Sequence, residues 1–469
     1  TDAGYKLIIV IAGIHNTLRS QTQIRVDEGY IGRNSSDFIQ RQKNVKVGVG
    51  KYPADIEIYS YTSSDNKGDF NRPIATKINV PIGGKSPTIL VIKKNKSILE
   101  NLILWLNTFA DDINGERKIL DVPLLVIDDE ADNASVNSGT ELEVRTINRL
   151  LRTMLNLFNQ NTFIGYTATP YANLYIPSTW SDDLQTSVKE ITLKVGEDLF
   201  PRDFIVNIKA PNNYIGAAAV FGFENNKTGE QKEGLDIIRE VDDHEAYYPR
   251  SINKHNKDDL PEGLPTSLKE AIKAFILTNA IRRLRGQGKK HSSMLIHVAL
   301  RVIWIDRTAW LVNELLRAYK NQIKSGQGNI LSELEMMFET DFKVTTREVK
   351  DAIDYHDPNI IEHTWNDVKT ELIPAVTKIE VRSVHGLKKI GSLEYHNIEE
   401  INYNSYKKQG LSVIAVGGNK LARGITLEGL SVSYYLRTTR MYDSLMQMGR
   451  WFGYRPGYVD LCRLYTTET

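Results

Sequence analysis

Two kinds of hydrophobic pattern alternate along the chain, and the alternation predicts most of its elements. Short continuous apolar runs are too dense for a strand with one wet face and predict strands covered on both sides. In the first part of the chain they stand at residues 6–12, 88–92, 122–128 and 162–166. Between them, apolar positions recur at helical spacing. Ile98, Leu99, Leu102, Ile103, Leu106 and Phe109 predict a helix over 96–110, and Ile147, Leu150, Leu151, Met154, Leu155 and Phe158 a second over 141–158. Strands that alternate with helices predict a parallel sheet. Residues 177–265 break the pattern with Asn, Asp, Lys, Gly and Pro, and predict an inserted, partly irregular module. The alternation then resumes with a helix over 266–286, a strand at 293–298 and a helix over 304–322. A charged, mostly helical stretch to 375 leads to strands at 378–384, 411–416, 430–436 and 461–465. The expected organisation is a first α/β lobe over 1–176, the insert over 177–265 and a second α/β lobe over 266–469.

Composition narrows this picture without changing it. A chain of 469 residues, 41% hydrophobic, supports two or three separate cores. The net charge of +1 gives no global field for nucleic acid, so any such surface must be local. The single cysteine, Cys462, excludes a disulfide framework and any multi-cysteine metal site, and its strand-like surroundings suit a buried apolar role. No apolar stretch approaches the ~20 residues of a membrane span. No signal peptide precedes the first strand, and the expected location is the cytoplasm. The chain enters a strand almost at once after Thr1 and ends at Thr469 just after its last strand, as expected of a piece of a longer protein.

Candidate chemistry is concentrated at the end of one strand. Residues 124–132 read Leu-Leu-Val-Ile-Asp-Asp-Glu-Ala-Asp. Asp129 and Glu130 stand just past the apolar run, where open parallel sheets place their ligands. In nucleoside triphosphatases an Asp so placed holds Mg²⁺, and the adjacent Glu orients and deprotonates the attacking water. An acidic strand end alone is also an ordinary surface feature, so the companions matter. Thr167-Ala168-Thr169-Pro170 follows the strand at 162–166, and Gly417-Gly418 and Ala422-Arg423-Gly424-Ile425-Thr426 follow the strand at 411–416. Gln447-Met448-Gly449-Arg450-Trp451-Phe452-Gly453-Tyr454-Arg455 closes the series.

In this order the four segments resemble motifs II, III, V and VI of the superfamily 2 helicases and translocases. The resemblance implies two RecA-like lobes, with ATP and Mg²⁺ as cofactors. Asp129 would hold Mg²⁺, Glu130 would activate water, and Thr167 and Thr169 would couple nucleotide state to the grip on DNA. Arg450 and Arg455 are the arginine-finger candidates, and Gln447, Arg423 and Gly424 further nucleotide contacts. His15, Asn16 and Arg19 at the exit of the first strand, Lys93 and Lys94 after the second, and Gly417 and Gly418 are the expected nucleic-acid contacts. The basic run over 282–291 is a further candidate path, although such charges at a helix end also suit its dipole. A phosphate-binding loop is missing. The one Gly-Lys-Ser, Gly84-Lys85-Ser86, has Asn79 where the pattern needs Gly, and Pro87 with a strand where it needs a helix. The loop is therefore expected upstream of Thr1.

A narrower resemblance covers nearly the whole chain. Ala12-Gly13-Ile14-His15-Asn16, Ile127 through Ser135, Gly165 through Asn173, Leu199 through Phe204 and Met446 through Tyr458 are similar to the Z-one domain family of bacterial restriction-modification-type loci. That resemblance implies a helicase-like ATPase and DNA motor of a phage-defence system. It would work beside DNA methyltransferases, a nuclease and MutL- or MORC-like ATPases, without a membrane. Two alternatives stay open: an endonuclease that uses the helicase-like core for targeting, and an ATPase-silent DNA-binding scaffold. Acidic patterns a nuclease could use include Asp55-Ile56-Glu57 and Glu190 with Lys194.

Overall fold

The computed structural model describes residues 3–13, 16–39, 45–53, 56–65, 67–78, 81–133, 135–136, 146–176, 184–225, 228–249, 258–385, 401, 403–418, 421, 426–436 and 449–468. The chain divides into two compact units, Thr1–Asn207 and Ile208–Thr469.

The first unit is built on β1 (Leu7–Ala12), β2 (Tyr59–Ser60), β3 (Thr88–Ile92), β4 (Leu124–Asp129) and β5 (Asn161–Tyr166). All pair in parallel in the order β2-β3-β1-β4-β5. The register sets Ala12 opposite Asp129 and Asp129 opposite Tyr166, so β1, β4 and β5 end level with one another. Three helices bear on the argument: α1 (Asn16–Val26), α2 (Lys96–Leu106) and α3 (Thr146–Asn156). Helix α2 starts where the Asn95 side chain accepts from the amides of Ser97 and Ile98, the usual solution for the orphan donors of a first turn. Its Leu99, Leu102, Ile103 and Leu106 are buried in the core with Leu7, Ile9, Leu124 and Val126. Each such side chain contributes roughly 1.5–3 kcal/mol by leaving water. Trp105 joins this core through edge contacts to Tyr61 and Phe109, both at 5.1 Å. Strand β5 differs from its neighbours: among the described residues it is paired on one side only, and Tyr166 is half exposed.

The second unit carries a six-stranded sheet formed by β6 (Ile238–Glu240), β7 (Ser292–His297), β8 (Ile379–Val384), β9 (Ser412–Gly417), β10 (Leu430–Tyr435) and β11 (Arg463–Thr466). The order is β6-β11-β10-β7-β9-β8, again fully parallel. Helix α4 (Thr266–Arg282) is buried almost all round because it packs on β10 and β11 and on α6 (Trp365–Lys378). Helix α5 (Val302–Ser325) packs on β8 and β9.

The predicted strands and helices are present within a few residues of their expected bounds. The insert is not. Residues 185–194 form a hairpin whose Val188 and Leu193 sit in the first core, while Ile238–Glu240 is a strand of the second sheet. Gly84-Lys85-Ser86 is a bend before β3, as its Pro87 predicts. No helix among the described residues is long and apolar enough to cross a membrane.

Candidate active site

The acidic turn after β4 is held from three sides. Along the strand, successive side chains point to opposite faces, so Asp128 and Asp129 part company. Asp128 turns inward and is fully buried. Its Oδ1 meets Lys94 Nζ at 2.9 Å, and its Oδ2 accepts from Ser135 Oγ at 2.5 Å. Burial pushes the Asp128 carboxyl above the usual range, and the charge of Lys94 with the Ser135 hydrogen bond offsets this only in part. Asp129 is exposed, and its Oδ1 accepts from the Glu130 amide at 3.1 Å.

Glu130 has φ = 54°. The other non-glycine residues in this left-handed region, Asn114 and Lys189, sit in hairpin turns, where such geometry is ordinary. At a strand exit it is strained, and strain of this kind needs surrounding structure to hold it. The Asn133 amide donates to Glu130 O at 2.9 Å and the Ala131 amide to Tyr166 O at 3.0 Å, tying the turn to the end of β5.

Asp132 then links the acids to the threonines. Thr167 Oγ1 donates to Asp132 Oδ1 at 2.7 Å and Thr169 Oγ1 to Asp132 Oδ2 at 3.2 Å, while the Thr169 amide donates to Thr167 Oγ1 at 2.9 Å. The structure thus brings Asp129, Glu130, Thr167 and Thr169 together. It adds Asp132, which sequence reasoning passed over although it stands two residues past Glu130. A carboxylate facing two hydroxyl-bearing residues after the next strand was the available signal. Mg²⁺ needs only one or two carboxylates beside a nucleotide's phosphates, and Asp129, a hard oxygen donor facing outward, fits that requirement.

Other expected contacts fall differently. Asn16 and Lys93 lie together at the exits of β1 and β3, with Lys93 Nζ donating to Asn16 Oδ1 at 3.0 Å near the surface. Arg19 is fully buried and donates to Ser63 O and Asp65 O, both at 2.7 Å. Burial lowers its pKa, which Asp69 and Asp65 partly restore. Its charge clamps a loop of its own unit, so the expectation of a nucleic-acid contact is corrected. Lys94 is corrected likewise: it is 4% exposed, and its ammonium faces Asp128 and backbone carbonyls. Position after a buried strand looked like a solvated basic run, but successive residues face opposite ways and only Lys93 faces out.

In the second unit, Gly417 is required by packing and Gly418 is closely packed. A Cβ on Gly417 would lie 2.6 Å from Val384 O, and one on Gly418 3.3 Å from Ala299 O. Arg455 is buried and donates to the carbonyls of Tyr454, Arg450 and Phe452 at 2.9, 3.2 and 3.2 Å. It fastens its own turn, and the expectation of an arginine finger at Arg455 is corrected for that reason. Arg450 is partly exposed. The three arginines of the basic run are spent internally, while Lys289 and Lys290 are exposed: Arg282 stacks on Tyr458 at 4.2 Å, Arg283 Nε reaches Glu371 at 2.6 Å, and Arg285 pairs with buried Asp460 at 2.7 Å. His15, Arg423, Gly424 and Gln447 lie outside the described residues. Of the acids a nuclease could use, Asp55 lies outside the described residues. Glu57 pairs with Arg33, Lys194 with Glu116, and among the described residues no three His, Cys, Asp or Glu side chains form a metal cluster.

Two fully parallel sheets, the first with an acidic turn at the carboxyl end of an interior strand, show the two-sheet α/β class expected from the sequence and are consistent with RecA-like lobes. Within that class, residues 267–469 match the Z1 domain family, the Z-one family of the sequence resemblance, which is borne out over that span. No curated protein matches the chain. One similar solved structure is the "ATP-dependent Type ISP restriction-modification enzyme LlaBIII bound to DNA", at 10% identity and a TM-score of 0.30. The alignment covers 99% of this chain and 24% of that one, so the chain spans about a quarter of that enzyme's length, and a similarity at this level carries no functional argument.

Proposed function

We propose that this chain is the core of an ATP-dependent DNA translocase or helicase-like motor of a restriction-modification or phage-defence system. The observation that carries the reading is the acidic turn of Asp129 and Glu130, locked through Asp132 to Thr167 and Thr169. A base beside a metal-holding carboxylate can activate water against a γ-phosphate, and a hydrogen-bonded link from there to the next strand can report whether that phosphate is present. Asp129 would hold Mg²⁺, which supplies charge neutralisation at the phosphates when bound. Glu130 would take the proton of the attacking water, and Arg450 would meet the charge that builds on the transferred group. Asn16 and Lys93 would touch backbone phosphates. The reading also needs a phosphate cradle, and the side of β5 that has no neighbouring strand among the described residues is where one would come to lie beside Asp129 and Thr167. DNA methyltransferase, nuclease and MutL- or MORC-like subunits are the partners that go with it.

The test is Glu130→Gln in the full-length protein, with ATP hydrolysis measured in the presence of DNA and Mg²⁺. Nucleotide binding is expected to persist while turnover falls by roughly 10²–10⁴-fold, the usual cost of losing a general base. Unchanged turnover removes Glu130 from the chemistry.

A further inference from the structure

The ammonium of Lys94 sits where three strand ends meet. From its place just past β3, Nζ lies 2.9 Å from Asp128 Oδ1, 2.9 Å from Glu130 O, 2.9 Å from Asn133 O and 3.2 Å from Asp129 O. Its own amide donates to Gly13 O at the exit of β1 at 2.6 Å. Gly13 has φ = 64°, and a Cβ there would come within 3.0 Å of Leu18 and 3.8 Å of Glu130 Oε2. The Glu130 carboxylate therefore lies over the end of β1, while its backbone is gripped from the end of β3. Both Lys94 and Asp128 have side chains of 0% exposure, so their attraction is little screened by water.

We propose that Lys94 is the positioning residue of this site, whose ammonium holds the carbonyls of Asp129, Glu130 and Asn133 and so keeps Glu130 in its left-handed conformation with the carboxylate over the end of β1. The inference rests on the reading of Glu130 as the base. It assigns to one of the two lysines expected to touch nucleic acid a different task. Three ammonium protons on a compact head suit converging carbonyls and one carboxylate. The planar fork of arginine does not, so the position is specific for lysine.

The test compares Lys94→Met, Lys94→Arg, Glu130→Gln and the Lys94→Met/Glu130→Gln double variant in the full-length protein, with DNA and Mg²⁺ present. Lys94→Met is expected to lower kcat by about 10²-fold, the scale of a misplaced catalytic group, with KM for ATP within about threefold. Lys94→Arg should not restore it. The double variant should hydrolyse within about threefold of Glu130→Gln alone, because residues acting as one unit are not additive. A lysine that merely supports the fold would lower both backgrounds by the same factor, and that result, or wild-type turnover in Lys94→Met, overturns the proposal. Should Lys94→Met not fold, Lys94→Gln keeps two N–H donors and carries the same comparison. If the wild-type protein hydrolyses no nucleoside triphosphate, the functional reading falls by itself. A crystal structure of the Lys94 variant then decides the matter, and a Glu130 φ still near its present value overturns the positioning role.

Discussion

The acidic turn of the first unit and the arginine turn of the second are each fastened by a buried cation, but Lys94 reaches its turn from the end of another strand whereas Arg455 belongs to the turn it holds. Lys94 is sacrificed to the interior, while Asp129 stays exposed and Glu130 partly so. Arg455, which sequence position marks for catalysis, is itself turned into the fastening, bonded to the carbonyls of the loop that carries it. A charged residue in a motif is thus of two kinds. One kind meets the ligand, and the other fixes the backbone from which the first kind projects.

The largest effects should come from leaving such buried cations alone. Asp128→Ala strands Lys94 and Asp460→Ala strands Arg285, each expected to cost about 3–5 kcal/mol of stability, as removal of one partner of a buried pair does. Denaturant unfolding measures both. If either costs under about 1 kcal/mol, that pair is not the fastening its burial indicates. Arg450→Ala and Arg455→Ala separate the two kinds of arginine. The first should cut ATP turnover at least tenfold with stability nearly unchanged. The second should lose roughly 1–3 kcal/mol, the cost of carbonyls left without their charged donor. The reverse outcome would exchange their roles. Thr167→Val removes one of the two hydroxyls on Asp132. It should cost about 1 kcal/mol or less of stability and reduce the stimulation of hydrolysis by DNA more than hydrolysis itself. Equal loss of both would mean the threonines only support the turn.

The smallest effect is one of pH, and it has opposite signs in the two units. Asp128 has its folded pKa raised by burial, so the folded state binds its proton more tightly, and this term adds stability as pH falls through that pKa toward the ordinary carboxylate value. At Asp341 burial also acts upward, but the charge of Arg463 and the hydrogen bonds from Arg239 and Arg463 outweigh it, and the folded pKa lies below the ordinary value. Its stabilisation is present above that value and is lost as pH falls through the folded pKa. Unfolding free energies measured across the acidic range should therefore show wild type gaining on Asp128→Asn, but losing its advantage over Asp341→Asn, as pH is lowered. Parallel trends would contradict the contrast between a carboxylate facing one lysine and one facing two arginines.

Much of the architecture could be read from the pattern of apolar residues, because a strand buried on both faces leaves few alternatives to a continuous run such as Leu7 through Ile11. The acidic turn was legible for the same reason: its polar letters follow an apolar run without a break. What could not be read was direction. Lys93 and Lys94 are adjacent identical letters, yet one lies near solvent and the other is enclosed by four oxygens. Arg19 and Arg455 are likewise consumed by carbonyls far from any pattern that periodicity reveals. Strand β6 was missed because Ile238–Glu240 is three residues long and joins the sheet through a partner more than two hundred residues later.

One side of β5 is left without a neighbouring strand among the described residues, and this has a practical meaning for anyone who concentrates the protein. Such an edge is a template: its outward amides and carbonyls, flanked by Phe163 and the half-exposed Tyr166, offer a ready register to any extended segment that drifts by. Solutions of this chain should lose clarity through orderly strand addition while the cores stay folded, and a short capping peptide or a lysine placed on that edge is the remedy to try first.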